Sequence, residues 1–572
     1  MNDHRNMILA IVLSAIVLIG WSFLSESFLP TAKPPATKVV DGKSVPLPQP
    51  KADPAADGPM AMRNRDEVLR ATPRVRIDTP HLAGSINLKG ARIDDLVLTT
   101  HRESIAKDSP AIRLLSPAGS PGAYFASFGW AGDPQRVPGP EAVWTPSATR
   151  LAPGSPVTLS WDNGQGQLFQ IQLAVDEGYL FSVHQKVVNR GSGDVAVRPY
   201  SVLSRIGVSK DPDPWTAHAG PMGVFNNAAD YGNDYSDVAE LGERRFNSRG
   251  GWIGFTDTFW LTAIVPNQGS GVDAAFRHNR GSDAYQAEAI TEPAIVPRGK
   301  IMDYSSHLFA GAKEIELLDR YTEQLGTPLE RAIDWGWFRW FMQPIFSLLN
   351  WLYAALGNFG VAIICLTLIV RTLMFPIAQK QFKSMAAMRV LQPKMKALQE
   401  RFKDDKPRLQ QEMLKLYQEE KVNPMAGCLP ILIQIPIFYA LYKVLMVSVE
   451  MRHKPFALWI KDLSAPDPLT PVNLFGYLDF QPPYFLALGV LPILLGITMW
   501  LQFKLNPPAT DPIQKQMFAI MPWVLMFAMA PFAAGLQLYW TVNNILTILQ
   551  QKWLYSRYPG MKAVPEAPAP AK

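Results

Sequence analysis

The chain has 572 residues, with 55 Lys and Arg against 49 Asp and Glu, 48% hydrophobic residues and two cysteines. This length allows two to four domains and excludes a small scaffold held together by disulfides. The formal net charge is +6, which is small for this length, and no basic stripe is interleaved with aromatic residues. We therefore do not expect sequence-specific binding of nucleic acid. Cys365 and Cys428 both lie in apolar runs, so a disulfide framework is excluded as well.

The amino-terminal segment predicts a membrane anchor. Residues 7–24 are uncharged and long enough to cross a bilayer as a helix. They exceed the apolar core of a typical signal peptide, and no small-x-small cleavage site follows them, which favours an uncleaved anchor. Residues 30–59 contain eight prolines and predict an extended linker.

Short β-type runs separated by turn residues fill the chain from about 65 to 325. Residues 157–161, 168–175 and 179–188 are three such runs, with Asp162-Asn163-Gly164 between the first two. The pattern predicts a β-sandwich-like domain. Because the domain lies between an anchor and a later span, we expect it to be exported.

Five further apolar stretches follow residue 350, at about 358–378, 428–447, 484–502, 515–531 and 533–551. Lys and Arg residues mark cytoplasmic loops. Residues 379–423 carry eleven of them against six acidic residues, whereas 448–483 carries only three, Arg452, Lys454 and Lys461. Six spans with both termini in the cytoplasm satisfy this distribution. The run from 517 to 532 would measure about 24 Å as a helix, short enough to thin the bilayer locally.

The basic loop and the segment before the second span have helical patterns of their own. Apolar residues at helical spacing flank the turn Asp404-Asp405-Lys406-Pro407 and predict an antiparallel hairpin, which Pro393 should kink. A solvated hairpin without partners is the alternative to one that contacts proteins or lipid headgroups. Aromatic residues are dense between 337 and 352, which predicts a helix in the outer interface.

Polar residues on three of the predicted spans form the candidate site. Arg371 lies about seven residues from the cytoplasmic end of the second span, where a charge is costly and is a functional candidate by default. Snorkelling of its guanidinium to the interface is the alternative. Thr367 shares its helix face, Gln434 interrupts the third span, and Gln537, Trp540 and Asn544 share a face of the last. These residues form either interhelical hydrogen bonds or a hydrophilic pocket with one positive charge.

An enzyme function has little support in the sequence. The eight histidines are scattered without metal-ligand spacing, and the exported domain has no nucleophile elbow. Gly42-Lys43-Ser44 lacks the first glycine of a phosphate loop, so we expect neither nucleotide hydrolysis nor a cofactor. An anchored carbohydrate-binding or carbohydrate-active protein remains an alternative, as does a transporter with Arg371 as an anion site.

The chain resembles the YidC family of bacterial membrane protein insertases, of the Gram-negative six-span type. The segments that carry the resemblance are LIVRTLMFP (368–376), MRVLQPKMKAL (388–398), EEKVNPMAGCLPILIQIPIFYALY (419–442), PFALWIKDLSAPDP (455–468) and PFAAGLQLYWTVNNILTILQQ (531–551).

The resemblance implies a fold class and a site. The fold is a multi-pass α-helical membrane protein, with a five-helix insertase core, an amino-terminal anchor helix and a large exported all-β supersandwich domain. The site is a groove open to the cytoplasm and to lipid and closed on the outer side. The groove residues are Arg371, Thr367, Gln434, Tyr539, Trp540 and Asn544; Trp540 stands where relatives often have Tyr.

The resemblance also implies partners and a function without nucleotide. We expect insertion and chaperoning of nascent inner-membrane proteins, alone or with the Sec translocon. The ribosome or signal-recognition targeting factors would bind the hairpin and tail, and membrane lipids would surround the core.

Together these readings divide the chain into eight segments. They are an anchor (1–29), a linker (30–60), a periplasmic β domain (61–328), an interfacial amphipathic helix (329–357), the second span (358–378), a cytoplasmic hairpin (379–423), the last four spans (424–553) and a cytoplasmic tail (554–572).

Overall fold

The structure is a computed structural model that describes residues 39–40, 43–44, 62–209, 218–336, 338–403, 405–420, 429–478, 488–505 and 512–557. The predicted anchor, almost all of the linker and most of the tail lie outside the described residues. The chain divides into two compact units, one formed by residues up to 334 except 104–107, and one formed by 104–107 and 335–572.

The first unit is built mainly of β-strands. They are β1 (Val39–Val40), β2 (Lys43–Ser44), β3 (Arg74–Asp78), β4 (Leu82–Asn87), β5 (Arg92–Arg102), β6 (Ala111–Leu115), β7 (Tyr124–Gly132), β8 (Thr145–Pro146), β9 (Arg150–Leu151), β10 (Val157–Asp162), β11 (Gln167–Val175), β12 (Leu180–Asn189), β13 (Val195–Ile206), β14 (Gly220–Phe225), β15 (Ala228–Asp230), β16 (Glu243–Arg249), β17 (Trp252–Thr256), β18 (Trp260–Val265), β19 (Gly271–Asn279), β20 (Ala284–Thr291), β21 (Ala294–Val296) and β22 (Ile301–Ala312). Its helices are α1 (Arg65–Arg70), α2 (Tyr235–Leu241), α3 (Ile315–Leu325) and the 3₁₀ turn Leu329–Ala332.

Two large sheets organise these strands. One has the order β15-β14-β17-β18-β22-β12-β11-β10-β8, and the other has the order β16-β19-β20-β13-β7-β5-β4-β3-β9, with β21 beside β13 and β6 beside β5. β3 and β9 are parallel, and the other paired strands of these sheets are antiparallel. Hairpins of consecutive strands, such as β10-β11-β12, β17-β18 and β19-β20, account for part of the antiparallel order, and longer connections join the other neighbours.

Alternating side chains explain why these strands enclose a core. In β11, Phe169, Ile171 and Leu173 are fully buried, and the residues between them are more exposed. The turn before β11 contains Gly164 at φ +70°, and the Asp162 carboxylate accepts its N–H at 2.8 Å. The three strands predicted at 157–188 therefore occur within one or two residues of their predicted ends.

Side chains from the two sheets meet in the interior and form a sandwich. Trp130 of β7 packs edge-on against Phe169 of β11, with ring centroids 5.1 Å apart. Gln185 of β12 donates a hydrogen bond to the Gly129 carbonyl of β7 at 2.7 Å. Burying an aromatic side chain of this size stabilises the domain by about 1.5–3 kcal/mol. The predicted β-sandwich is confirmed.

The second unit is helical within the described residues. Its helices are α4 (Arg339–Leu356), α5 (Phe359–Arg401), α6 (Lys406–Glu419), α7 (Leu429–Val447), α8 (Val490–Leu505), α9 (Pro512–Met529) and α10 (Ala534–Arg557), with 3₁₀ turns at Val449–Met451 and Pro471–Gly476.

α5 is a continuous helix of 43 residues. It begins where the Asn358 side chain accepts the Val361 N–H at 3.1 Å, directly after Gly357, which ends α4 in the left-handed conformation. The helix runs from the predicted second span (358–378) into the first arm of the predicted hairpin, and Pro376 and Pro393 both lie inside it. The residues that follow Pro393 are mostly good helix formers, which compensates for the lost backbone hydrogen bond.

The carboxyl-terminal part of α5 packs against α6 as a hairpin. Leu391 and Met395 are buried, and Met413, Leu416 and Tyr417 of α6 pack against them. The side chains of 380–390, including Met388, and residue 404 of the predicted turn lie outside the described part. The apolar stripe predicted from spacing is thus the face that joins the two helices.

One helical segment within the described residues is long and apolar enough to cross a membrane, Phe359–Gln379, with a mean hydropathy of 2.3. Three shorter apolar helices, Gln434–Val447, Val490–Leu505 and Gln516–Met529, accompany it.

Candidate functional site

Arg371 lies in the apolar part of α5 and is hydrogen-bonded to α10. Its Nε donates to Asn543 Oδ1 at 2.7 Å, and its Nη2 donates to the Asn543 carbonyl at 3.3 Å and to the Thr547 hydroxyl. Arg371 and Thr547 are partly buried, and Asn543 is buried. The guanidinium is therefore held by a helix rather than extended freely towards an interface.

The partners of this guanidinium are neutral. Among the described residues, no carboxylate lies within ion-pair distance of Arg371, and its Nη1 donates to none of them. Neutral hydrogen bonds fix the direction of the side chain without cancelling its charge. The site thus presents one positive charge in an apolar helical environment, where its interaction with an anion is stronger than in water.

A second polar contact joins α7 to α10. Gln434 Nε2 donates to the hydroxyl of Tyr539, which is almost fully buried. Trp540, the next residue, is partly buried and packs edge-on against Phe438 of α7 with ring centroids 4.7 Å apart. Gln434 therefore has a partner inside the helical unit, and the Trp540 indole contacts α7 at Phe438, four residues further along.

Tyr539, Asn543 and Thr547 occur at intervals of four residues and form one stripe along α10. Asn543 and Thr547 of this stripe accept hydrogen bonds from Arg371, and Tyr539 accepts one from Gln434. Four residues of the predicted site therefore meet at α10. Tyr539 and Trp540 belong to this helix, and Arg371 and Gln434 donate hydrogen bonds to it.

The other predicted site residues have separate contacts. Thr367 is buried one turn before Arg371, and its hydroxyl donates to the Ile363 carbonyl at 2.7 Å within α5. Asn544 is buried and donates to the Thr498 hydroxyl of α8 at 3.2 Å. Asn544 accordingly joins α10 to α8, whereas the hydrogen bonds of Arg371 go to Asn543 and Thr547.

Gln537, which the sequence placed on the same face as Trp540 and Asn544, holds the turn between α9 and α10. Its Nε2 donates to the carbonyls of Met529 and Phe532, each at 2.8 Å. These carbonyls belong to the end of α9 and the turn after it, so Gln537 satisfies groups that a helix end leaves free. Gln537 and Asn544 therefore both make hydrogen bonds from α10 to a neighbouring helix or turn.

Sequence reasoning missed Asn543 and Thr547, the two residues that hold Arg371. The signal was present, because both are polar residues in an apolar helix and are spaced four apart. The adjacent stripe of Gln537, Trp540 and Asn544 has the same kind of spacing, and spacing within one helix does not determine which stripe faces another helix.

Both units match described families. Residues 74–348 match the YidC periplasmic domain, and residues 351–562 match the 60Kd inner membrane protein family.

Curated relatives match along nearly the whole chain. The membrane protein insertase YidC of Zymomonas mobilis subsp. mobilis is 48% identical, covering 97% of this chain and 96% of its own. That of Beijerinckia indica subsp. indica is 42% identical, again over 97% and 96% of the two chains.

A crystal structure of an active YidC insertase with its first transmembrane domain resolved is 17% identical, with a TM-score of 0.37, and the match covers 88% of this chain and 95% of that one. The function that the curated relatives' names state, membrane protein insertion, is not an enzyme activity. The chain therefore belongs to the YidC family of membrane protein insertases, which are inner membrane proteins with a periplasmic β domain.

Proposed function

We propose that this chain inserts and chaperones nascent inner-membrane proteins through a groove whose charge is Arg371, without nucleotide hydrolysis. The groove residues are Arg371, Thr367, Gln434, Tyr539, Trp540 and Asn544, to which the contacts of Arg371 add Asn543 and Thr547. The observation that supports this proposal most directly is the guanidinium of Arg371, held by neutral groups in an apolar helix.

The charge at Arg371 would receive a short hydrophilic segment of the client. A carboxylate about 4 Å from the guanidinium gains about 4 kcal/mol at the effective dielectric near a protein surface, against about 1 kcal/mol in water. The gain offsets part of the cost of taking the client's polar segment out of bulk water. Acidic segments should therefore benefit most.

Transfer of the client's apolar segment to lipid would drive the reaction. On insertion scales, Leu, Ile, Phe and Val each contribute about 0.3–0.6 kcal/mol at the centre of a helix, so about 20 such residues contribute roughly 6–12 kcal/mol. A local thinning of the bilayer beside α9 would shorten the path of the polar segment. The energy comes from the client, and nucleotide is not needed.

The topology that suits this mechanism has six spans and both termini in the cytoplasm. Residues 7–24 would be the anchor, and the spans of the core would be the apolar part of α5 followed by α7, α8, α9 and α10. The periplasmic domain would extend from 61 to 328 and the interfacial helix from 329 to 357. The excess of Lys and Arg in 379–423 supports this orientation.

The cytoplasmic hairpin is the proposed docking point for the ribosome or for signal-recognition targeting factors, together with the tail. The packing of α5 on α6 leaves charged side chains such as Lys394 and Lys415 exposed. Clients that need more than this chain would be handed over from the Sec translocon, and lipids would occupy the open side of the groove.

Insertion into liposomes that contain only this protein tests the proposal. The client is a small two-span protein with an acidic exported loop, and the variants are Arg371→Ala and Arg371→Lys, with Arg401→Ala as an exposed control. Protease protection of the client by the wild type and Arg401→Ala, its loss in Arg371→Ala and its partial return in Arg371→Lys are the expected results. Equal protection by all four proteins would refute a charge-dependent groove.

A further inference from the structure

The segment between α7 and α8 is bound at two points to the first turn of α8. Oδ2 of Asp467 accepts the Leu491 N–H at 2.7 Å, and the Leu469 carbonyl accepts the Val490 N–H at 3.2 Å. The chain therefore leaves the start of α8 after residue 469 and returns to it at residue 490. A loop that is closed in this way lies at the same level as the start of α8.

The described end of this loop exposes a cluster of apolar side chains, which we call the tip and define as residues 471–478. Its exposed apolar residues are Val472, Leu474, Phe475, Tyr477 and Leu478. The Tyr477 side chain is 90% exposed, and those of Leu474 and Phe475 are 56% and 50% exposed. The tip carries no charged residue. A contiguous exposed apolar cluster of this kind marks a surface that contacts a partner.

The backbone of the tip is held in a compact turn. The Phe475 N–H donates to the Thr470 carbonyl at 2.9 Å, and the Leu478 N–H donates to the Asn473 carbonyl at 3.1 Å. Leu474 and Phe475 are both in the left-handed region, with φ of 50° and 57°. This region is unfavourable for residues that carry a Cβ. The turn thus presents apolar side chains at a cost in backbone energy, which burial of those side chains against a partner would offset.

The outward face of α8 indicates which partner lies at this level. Leu494, Ile497 and Leu501 are exposed at intervals of three and four residues, so they form an apolar stripe along the helix. In an inner membrane protein, an exposed stripe on an apolar helix faces lipid. The tip is bound to the first turn of the same helix, about one turn before this stripe begins. Tyrosine side chains are enriched at that depth, where the headgroups meet the acyl chains.

We infer that the tip inserts into the outer leaflet of the bilayer and anchors the loop between α7 and α8 to lipid. The inference rests on the topology proposed above, in which α8 is a span that begins on the periplasmic side. Because the loop is bound to the start of a span, lipid is the partner that it meets in every state of the protein. The anchored tip would hold the start of α8 at a fixed depth.

Fluorescence quenching in liposomes that contain only the full-length protein tests the inference. In a background without the two native cysteines, Tyr477→Cys carries an environment-sensitive fluorophore. Leu241→Cys, an exposed leucine of the periplasmic domain, carries the same fluorophore as the control. Iodide on both sides of the membrane quenches from water, and lipids with a nitroxide near the top of the acyl chain quench from the bilayer. Replacing Tyr477 removes little interior packing, because its side chain is so exposed.

Nitroxide lipids should quench the fluorophore at position 477 and leave the one at position 241 unchanged. The iodide quenching constant at position 477 should be smaller by about threefold or more, as expected for a side chain buried at the interface. Strong iodide quenching at position 477 without quenching by lipid would overturn the inference. Protection from both quenchers would also overturn it, because the tip would then lie against protein, and liposomes with at most one copy would show whether that protein is a second copy of this chain.

Charged substitutions in the tip give a second measurement. Leu474→Asp and Phe475→Asp, each in the Tyr477→Cys background, should raise the iodide quenching constant at position 477 by about twofold or more, because a carboxylate is costly among acyl chains. Leu241→Asp is the matched control and should leave that constant unchanged. An unchanged constant in both tip variants would count against the anchor.

These results are separable from the proposed function. No client is present, so normal insertion by Arg371→Ala would refute the charged groove and leave the quenching at position 477 as it is. Iodide confined to one side of sealed, oriented liposomes, with Leu474→Asp opening the tip to water, identifies the side on which the tip lies. A tip on the same side as the basic loop 379–423 would refute the proposed topology and, with it, the assignment to the outer leaflet.

Discussion

Replacing Asn543 by Leu separates the charge of Arg371 from its position. The substitution keeps the approximate side-chain volume and removes the oxygen that accepts from Arg371 Nε at 2.7 Å. The contacts of Nη2 to the Asn543 carbonyl and to Thr547 remain possible. The guanidinium keeps its charge but loses the acceptor that fixes its direction.

The size of the effect follows from the kind of hydrogen bond that is lost. Hydrogen bonds to charged groups contribute about 1.5–3 kcal/mol, so the free energy of unfolding of the helical unit should fall by about that amount. A freed side chain must be ordered again when a client binds, at about 0.5–1.5 kcal/mol. Insertion of an acidic client should therefore slow by roughly 2- to 12-fold, less than in Arg371→Ala.

The assay combines reversible denaturation of the full chain in mixed micelles with the liposome insertion reaction. Gln537→Leu is the control in the same helix, because Gln537 is not one of the proposed groove residues and each of its neutral hydrogen bonds, to the Met529 and Phe532 carbonyls at 2.8 Å, should contribute only about 0.5–1.5 kcal/mol. Only Asn543→Leu should be coupled to Arg371→Lys in a double-mutant cycle. Equal slowing of insertion by Asn543→Leu and Gln537→Leu, or additivity of Asn543→Leu with Arg371→Lys, would refute this explanation.

Three further predictions concern other parts of the chain. Gly311→Ala would press a methyl group into the ring of Tyr179 in the periplasmic domain, and thermal unfolding should show a loss of about 1–3 kcal/mol. Burial, together with the imidazole of His184, lowers the pKa of His307 below 6.5. As the pH drops below about 6.5 the unfolded chain therefore binds the proton first, and the stability of the domain should fall. In a pH series of melting temperatures, His307→Gln should reduce that fall. Met395→Ala removes a buried side chain between α5 and α6, and amide hydrogen exchange in both helices of the hairpin should accelerate while the sandwich is unchanged.

The spacing of apolar residues predicted those strands and helices in which one face is buried and the other is exposed. The strands at 157–188 alternate in burial with period two and are separated by Asp-Asn-Gly and similar turns, so both their positions and their ends followed from sequence. The hairpin stripe around Met395 followed in the same way. The end of α5 at Arg401 agrees with the predicted turn at 404–407. The sequence did not show that a single helix joins the span to the hairpin, because hydropathy marks the edge of the lipid and not the end of a helix.

The site was predicted in part for a related reason. A charge or an amide in an apolar span is conspicuous, which is why Arg371 and Gln434 were found. Their partners depend on the rotation of α10 about its axis, and the stripes containing Asn543 and Asn544 differ by one residue. That rotation is set by packing against α5, α7 and α8 together, which no single helix encodes.

Photo-crosslinking during insertion shows whether a client enters the proposed groove on its way into the membrane. A photoreactive residue is placed at Gln434 or at Trp540, on the two sides of the α7–α10 contact, and the client carries an acidic or a neutral polar loop. Crosslinks from both positions to the acidic loop are expected before protease protection appears, and both the crosslinks and the protection should be lost in Arg371→Ala. Protected client that never crosslinks to either position, in protein that is folded and active, would contradict it.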